Sequence, residues 1–457
     1  MKKTLRTACR AAMATAAALA ALVPAQMQAD DFTEGANSYI ITSAGTHTFV
    51  PVHVDGTAID IVKADWLWAE KDPTDAEQGM ISDVKLDNGK VSFCYSGNRE
   101  GNALIAGFDA EGTIVWTWHI WCTDRPVDVK LNNGTYFQDR LLGAVGSSQD
   151  GVTPNKHPEA WSPIGYQWGR TVPIFNGYSA ESYGVAMSEP KQYTQINPAY
   201  ADAYAWTVDL TKSVSLDESF ANPTTWYTKL NDTDSWYEKT DFTLWSETEK
   251  TIYDPCPEGY KVPSEEDFGD FGSVAEWASL YGFTYTNNEG ETSWWRGCGS
   301  GRYWGDGKYD AMASASSTPI YYWVTGSYYY SGYGSYSKRL LMQTDPAAMK
   351  LVPFSGGLAS LSYNVRCVRY KGEAVTSVGK TAKSLADVQV KTQGRTVEAY
   401  FPAGQRATLT LTDAAGRTIG TTSGTSGQLS LCTAGPGFYL VKATSGAASV
   451  SRKVVVK

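Results

Sequence analysis

The stretch Tyr253-Asp-Pro-Cys-Pro-Glu-Gly-Tyr-Lys-Val-Pro-Ser264 stands near the middle of a 457-residue chain and sets how the rest is divided. It runs into Ser264-Glu-Glu-Asp267, a capping-box pattern with Asp in the fourth place. Phe268, Phe271, Ala275 and Ala278 then recur at helical spacing, so the pattern predicts a helix, with Gly269 and Gly272 as weak points. Around this stretch, from about 124 to 372, the sequence is irregular and rich in Gly, Tyr, Trp and Ser. One loop-rich central domain is expected there.

Both flanks read differently. From 30 to 123 the chain alternates and turns often, with strands expected at Thr46–Val54, Val91–Tyr95, Ala103–Phe108 and Thr113–Ile120. In the last of these Ile114, Trp116, Trp118 and Ile120 share one face, with Thr117 and His119 opposite, and His119 is expected to be exposed or hydrogen-bonded. This block is expected to be a β-sandwich. From 385 to 457 the chain returns to short strands: Val388–Lys391, Thr396–Phe401, Ala407–Thr412, Gln428–Leu431, Phe438–Ala443 and Ser449–Val456. That spacing predicts an immunoglobulin-like β-sandwich. Residues 373–384 have the small, polar composition of a linker. The fold class expected is therefore mainly β with an α+β centre.

Residues 1–29 read as an address. Lys2, Lys3, Arg6 and Arg10 precede an Ala/Leu-rich run and the small-residue exit Met27-Gln28-Ala29, which predicts a secretory signal peptide. No later apolar run approaches the roughly 20 residues of a membrane span, so no transmembrane segment is expected. The chain carries 39 Lys+Arg against 48 Asp+Glu, and losing the signal's four basic residues makes it more acidic still. A nucleic-acid binder would carry a basic face, so no nucleic-acid partner is expected. Beyond the signal, Cys94, Cys122, Cys256, Cys298, Cys367 and Cys432 allow up to three disulfides in an oxidising compartment. No CxxC pair and no His spacing suggests a metal, and no cofactor is expected.

Three resemblances follow from local motifs. Gln138-Asp-Arg-Leu-Leu-Gly-Ala144, Tyr166-Gln-Trp-Gly-Arg170, the 253–264 stretch and Val365-Arg-Cys-Val368 resemble the Fibrobacter succinogenes major paralogous domain of secreted Bacteroidetes and Fibrobacter proteins. That resemblance implies a C-type-lectin-like fold and a disulfide between Cys256 and Cys367. Within it, 177–246 has the look of an insertion. Asn37-Ser-Tyr-Ile40, Trp66-Leu-Trp68, Gly101-Asn-Ala-Leu-Ile-Ala106 and Trp116-Thr-Trp-His-Ile-Trp121 resemble the β module of fimbrillin-like surface proteins. Gly394-Arg-Thr-Val397, Leu411-Thr-Asp-Ala-Ala-Gly-Arg417, Gly437-Phe-Tyr-Leu-Val441 and Lys453-Val-Val-Val-Lys457 are similar to the type A sorting domain of the type IX secretion system. This last match implies the type IX secretion machinery as a partner and the cell surface, outer membrane or extracellular space as destination.

Catalytic motifs are thin. The sequence has no HExxH, P-loop or GxSxG. Gly297-Cys-Gly-Ser-Gly301 has the wrong spacing for a nucleophile elbow, and Cys298 reads as a disulfide partner or inert thiol. Asp232/Asp234 and Asp267/Asp270 read as surface charge rather than a glycosidase pair. Glu189-Pro190-Lys191 places a Lys where a calcium-binding lectin needs an oxygen donor, so recognition is expected to be calcium-independent.

Aromatic residues give the positive signal: fourteen Tyr or Trp fall between Tyr285 and Tyr336. Interleaved Gly and Ser resemble binding loops, where rigid amphipathic rings give contact area at low entropic cost. Tyr322 and Trp323 sit in an apolar run and are expected to pack inward. Trp294, Trp295, Trp304, Tyr329, Tyr330, Tyr333 and Tyr336 are the expected ligand contacts. The expected function is a non-catalytic adhesin or binding protein for a glycan or surface protein. The alternatives are an exported carbohydrate-active enzyme and a structural component of a fimbria-like assembly.

Overall fold

A computed structural model describes residues 30–70, 79–97, 99–146, 164–175, 194–230, 235–239, 242–279, 282–296, 301–302, 309–310, 320–332, 334–342, 354–371, 389–393, 396–400, 407–414, 416–424, 428–432, 437–445 and 448–456. The signal (1–29) and linker (373–384) expectations lie outside the described residues. The fold is mainly β: nine small sheets, and helix only in short turns, among the described residues.

The expected strands of the first block form two sheets. One orders Asp31–Phe32, Gly45–Phe49, Lys90–Tyr95 and Ile81–Asp87. The other orders Thr194–Ile196, Lys63–Glu70, Gly101–Phe108, Ile114–Cys122 and Ser38–Ile41. Phe49 bridges them, with its ring 5.0 Å from Trp118 and 4.6 Å from Tyr39. The first strand ends at Phe49, not Val54, and Thr46 and Thr48 point away from the buried His47 and Phe49. The alternation read at Ile114–Ile120 holds, but Thr117 and His119 are buried too. The reason is cover on both faces: Trp116 packs at 4.4 Å on Phe220, and Trp121 Nε1 donates to Ala144 O at 3.1 Å. One continuous apolar cluster therefore runs from Ala36 to Cys367.

The 253–264 stretch is locked by a carboxylate. Asp254 is fully buried; Oδ1 accepts from Cys256 N at 2.9 Å and Lys250 Nζ at 2.7 Å, and Oδ2 accepts from Val262 N at 2.7 Å. Charge-assisted bonds of this kind are the stronger class, and they bend the chain so that Cys256 faces Cys367. The Cys256–Cys367 disulfide is formed, as the resemblance implied. Burial lowers the Lys250 pKa, and Asp254 opposes that shift. Tyr260 then donates to Asp128 Oδ1 at 2.7 Å, and Arg369 Nε donates to Asp128 Oδ2 at 2.6 Å.

The helix expected from Ser264 to Ala278 is a correction. Ser264 N and Oγ do donate to Asp267 Oδ2, at 2.7 and 2.9 Å, but the N-cap position of the turn falls at Glu265 and no side chain caps it. Only a 3-10 turn at Glu266–Phe268 and one helical turn at Phe271–Val274 follow, and Ala278 lies in the strand Glu276–Ser279. Gly269 at φ 52° breaks the helix, and Phe268 and Phe271 instead wrap Trp295, which lies 6.1 and 4.4 Å away. These rings belong to a second cluster with Phe137, Tyr285, Tyr322 and Leu340.

Tyr166-Gln-Trp-Gly-Arg170 acts as a clasp for the 194–246 region. Gln167 Nε2 donates to Tyr227 O at 2.7 Å and Ser360 O at 3.0 Å. The buried Arg170 guanidinium donates to Gln167 Oε1 and to the carbonyls of Thr225, Ser219 and Asn222, at 2.8–3.1 Å. Burial without an acid partner pulls its pKa down to about 10.

The last block is a two-sheet sandwich with its own core of Val397, Leu409, Leu411, Leu431 and Val441. All six expected strands are present; Thr418–Gly424 is a seventh. Among the described residues no helix is long and apolar enough to cross a membrane, which says nothing about strands.

Candidate functional site

The aromatic-rich sequence forms a long hairpin, Ile320–Tyr330 paired antiparallel with Gly334–Met342, and Phe354–Gly357 adds a third strand. Its inner half is core. Trp323 Nε1 donates to Tyr166 O at 2.6 Å, and Thr325 N donates to Pro263 O at 2.8 Å. Tyr322 and Trp323 are fully buried, as the apolar run predicted. At Gly326 the strand changes character. The register goes from Trp323 opposite Arg339 to Ser327 opposite Ser337, so the first strand carries two extra residues. Gly326 has φ 83°, and a Cβ there would lie 2.2 Å from Glu247 Oε1, so no other residue fits without displacement. Beyond this bulge the hairpin's outer half leaves the core.

Strand alternation sorts the outer side chains onto two faces. Tyr328 stands opposite Tyr336, and Tyr330 opposite Gly334, so these three tyrosines share one face. Their ring centroids lie 4.9 Å (Tyr328–Tyr330) and 5.4 Å (Tyr330–Tyr336) apart, offset or edge-on as aromatic pairs prefer. They rest on Gly356, whose N donates to the Tyr330 hydroxyl at 3.2 Å and whose missing Cβ would meet the Tyr330 ring at 2.5 Å. Lys338 follows on this face, held by Glu265 at 3.1 Å and Glu247 at 3.8 Å. The opposite face carries Tyr329 across from Ser335, then Ser327 across from Ser337, then Arg339. Tyr329 is 68% exposed and Tyr330 37% exposed.

Of the expected ligand contacts, the structure brings Tyr330 and Tyr336 together and puts Tyr329 on the other face of the same hairpin. Trp294 is half-buried in the separate strand Thr292–Arg296. Trp295, next to it, is fully buried: Arg366 stacks 3.5 Å over its ring, and Ser293 Oγ accepts from its Nε1 at 2.9 Å. An expected contact at Trp295 is therefore replaced by a core role. Trp304 and Tyr333 lie outside the described residues. Tyr328, Lys338 and Arg339 were not among the expected contacts, although i, i+2 spacing from Tyr330 and from Tyr336 was available for the first two.

A second constellation resembles catalytic machinery and is structural. Ser38 Oγ lies 2.9 Å from His119 Nδ1, and His119 Nε2 lies 2.7 Å from Asn102 Oδ1. Asn102 Nδ2 donates to Glu70 Oε1 at 2.7 Å and Gly143 O at 2.9 Å, which fixes the amide and makes His119 Nε2 the proton-bearing nitrogen. The order Ser–His–Asn recurs in nucleophilic enzymes. Here all three are buried, and burial pushes the His119 pKa down to about 3, so no substrate meets this serine. The chain of bonds instead ties four of the sheet's five strands to Pro255 O, 2.7 Å from Ser38 Oγ.

No protein-family model and no curated protein matches the chain. Among solved structures it is similar to PorZ, described as an essential bacterial surface component of the type IX secretion system of Porphyromonas gingivalis. The identity is 12%, over 88% of this chain and 48% of that one, so this chain spans about half of PorZ's length. With a TM-score of 0.16, the likeness carries no argument about fold or activity.

Proposed function

We propose that this is an exported, non-catalytic binding protein or adhesin that recognises a glycan or partner protein through the outer half of the 320–342 hairpin. The carrying observation is the pair Tyr329 and Tyr330, exposed on opposite faces of a hairpin whose root is fixed in the core. Exposed tyrosines offer a flat apolar face and a hydroxyl together, the chemistry a sugar ring requires. Tyr328 and Tyr336 hold Tyr330 in place, so less ordering entropy is lost on binding.

On the same reading the centre is a C-type-lectin-like domain related to the Fibrobacter succinogenes major paralogous family, supported by the disulfide at Cys256 and Cys367. Residues 385–457 act as a type IX sorting domain. Its support is the exposed row Phe438, Leu440 and Val455, with Lys442 and Lys453 on the same sheet face, a surface fit for a docking partner. Residues 1–29 are the export signal and 30–123 a spacer module, which places the protein at the cell surface or outside it.

The test is binding to a glycan array by wild type and by the double variant Tyr329→Ala/Tyr330→Ala, with thermal melting to verify folding. Loss of about 1–3 kcal/mol of binding with an unchanged melt is expected. A folded double variant that binds as wild type does would refute the assignment of the site. Deleting 385–457 should leave the protein in the periplasm, and surface display of the truncated chain would refute the sorting role.

A further inference from the structure

Arg339 is a cation placed among neutral partners in an acidic protein. Its Nε donates to Ser355 Oγ at 3.1 Å and its Nη1 to the Tyr363 hydroxyl at 2.6 Å. The guanidinium lies 3.8 Å over the Tyr321 ring and 5.5 Å from that of Tyr363. Nη2 takes part in neither hydrogen bond, and no carboxylate among the described residues pairs with this arginine. Arg140 has Asp124 and Asp139, Arg369 has Asp128, and the adjacent Lys338 has Glu265 and Glu247; Arg170 and Arg366 also lie among neutral partners, but both are fully buried, whereas Arg339 is half-buried. Because Lys338 points to the opposite face, its two carboxylates are on the wrong side of the sheet for Arg339.

The surroundings of Arg339 are shaped for a ligand. Gly357 stands beside it, and a Cβ there would come within 3.0 Å of Arg339 Cδ and 3.2 Å of Nε, so the glycine lets the arginine lie flat. Ser337 is two residues away on the same face, and its buried Oγ has no hydrogen-bond partner. Across the hairpin from Ser337 stands the exposed Ser327, and one step further out the exposed Ser335 faces Tyr329. A shallow run of small hydroxylic residues thus separates an exposed ring from a fixed guanidinium. The distance is roughly 14 Å along the strand, the length of a short oligosaccharide.

We propose that Arg339 receives the carboxylate of an acidic oligosaccharide, a more distant sugar of which stacks on Tyr329. This rests on the glycan reading above and adds the chemical class of the sugar. A guanidinium fork matches a carboxylate bidentately, and one already held by a ring and two hydroxyls loses little freedom on pairing.

Calorimetric titration of the full chain with a uronic-acid oligosaccharide, with its neutral methyl ester and with polyglutamate tests the inference. Wild type should bind the free acid about ten- to a hundredfold tighter than the ester. Arg339→Gln should bind acid and ester alike while keeping wild-type affinity for the ester, which also shows that the face is folded. Arg339→Lys, retaining charge without the fork, should recover only part of the preference and serves if the Gln variant does not fold. Equal binding of acid and ester by wild type overturns the inference and leaves the glycan reading standing, as does a full preference in either variant. Polyglutamate binding as tight as the uronate would make the occupant an acidic protein and overturn the proposal. If neither saccharide binds, the glycan reading and this inference fall together.

Discussion

Reducing the Cys256–Cys367 bridge opens a loop whose ends are 111 residues apart in sequence. In the chain-entropy treatment a loop of this length withholds about 5 kcal/mol of freedom from the unfolded state. A domain is stable by only about 5–15 kcal/mol, so the bridge is a large fraction of the whole. Comparing oxidised protein with the same protein reduced by dithiothreitol avoids the cavity that Cys→Ala would leave at two fully buried positions. Tryptophan fluorescence in urea is the suitable readout, because every Trp lies at or before Trp323 and the last block is silent. With an m-value of roughly 3 kcal/mol per molar, the midpoint should fall by about 1.5 M on reduction. A fall of less than about 0.3 M would show that the reduced, unfolded chain does not gain the freedom assumed, refuting the entropic account. It would place the stability of this region in the Asp254–Lys250 network instead.

Two further outcomes concern pH and backbone strain. His119 has a folded pKa near 3 against an ordinary value of 6.5, so between these values the unfolded chain holds a proton that the folded chain excludes. Stability should therefore rise with pH through that window, by up to about 1.4 kcal/mol per pH unit, and be fully present above about 6.5. Denaturation midpoints from pH 4.5 to 6.5 should show this slope in wild type and lose it in His119→Gln; equal slopes would contradict the assignment. Gly326→Ala should lower stability by about 1–3 kcal/mol, because φ is positive and Glu247 occupies the Cβ position. Adding Glu247→Ala should relieve the clash and leave the dihedral cost, so a single variant melting at the wild-type temperature would refute both causes.

The sheets were legible where apolar residues alternate between clear turns. The strands around Val91, Ala103 and Ile114, and six of seven in the last block, follow from that rule. Thr418–Gly424 was missed because it is a half-exposed edge strand of Thr, Gly and Ser in which Ile419 alone is apolar, too little for an alternation to read. The helix after Ser264 failed for the opposite reason. Its apolar period was present, but Gly269 ended it and Trp295 offered Phe268 and Phe271 a better surface. The candidate site was legible as a region and not as a face. Nine of the sixteen tryptophans are among the largest fully buried side chains, so a Trp/Tyr excess counts core and surface together. Only the two-residue shift at Gly326 determines which tyrosines emerge, and no composition window sees a register shift.

The side chain of Asn37 donates to Ile252 O and Asp254 O, partners 215 and 217 residues ahead of it, and Gln138 N donates to Cys367 O. The first sheet to be synthesised thus has its second covering layer encoded far downstream, and its assembly waits on chain that has not yet been made. During that interval the Ile114–Cys122 strand has nothing over the side that carries Val115, Thr117, His119 and Trp121. Folding of this chain as it is synthesised is consequently a problem of timing: the early strands must be kept from one another's edges until the turn at Cys256 and the strand beyond Cys367 are in place.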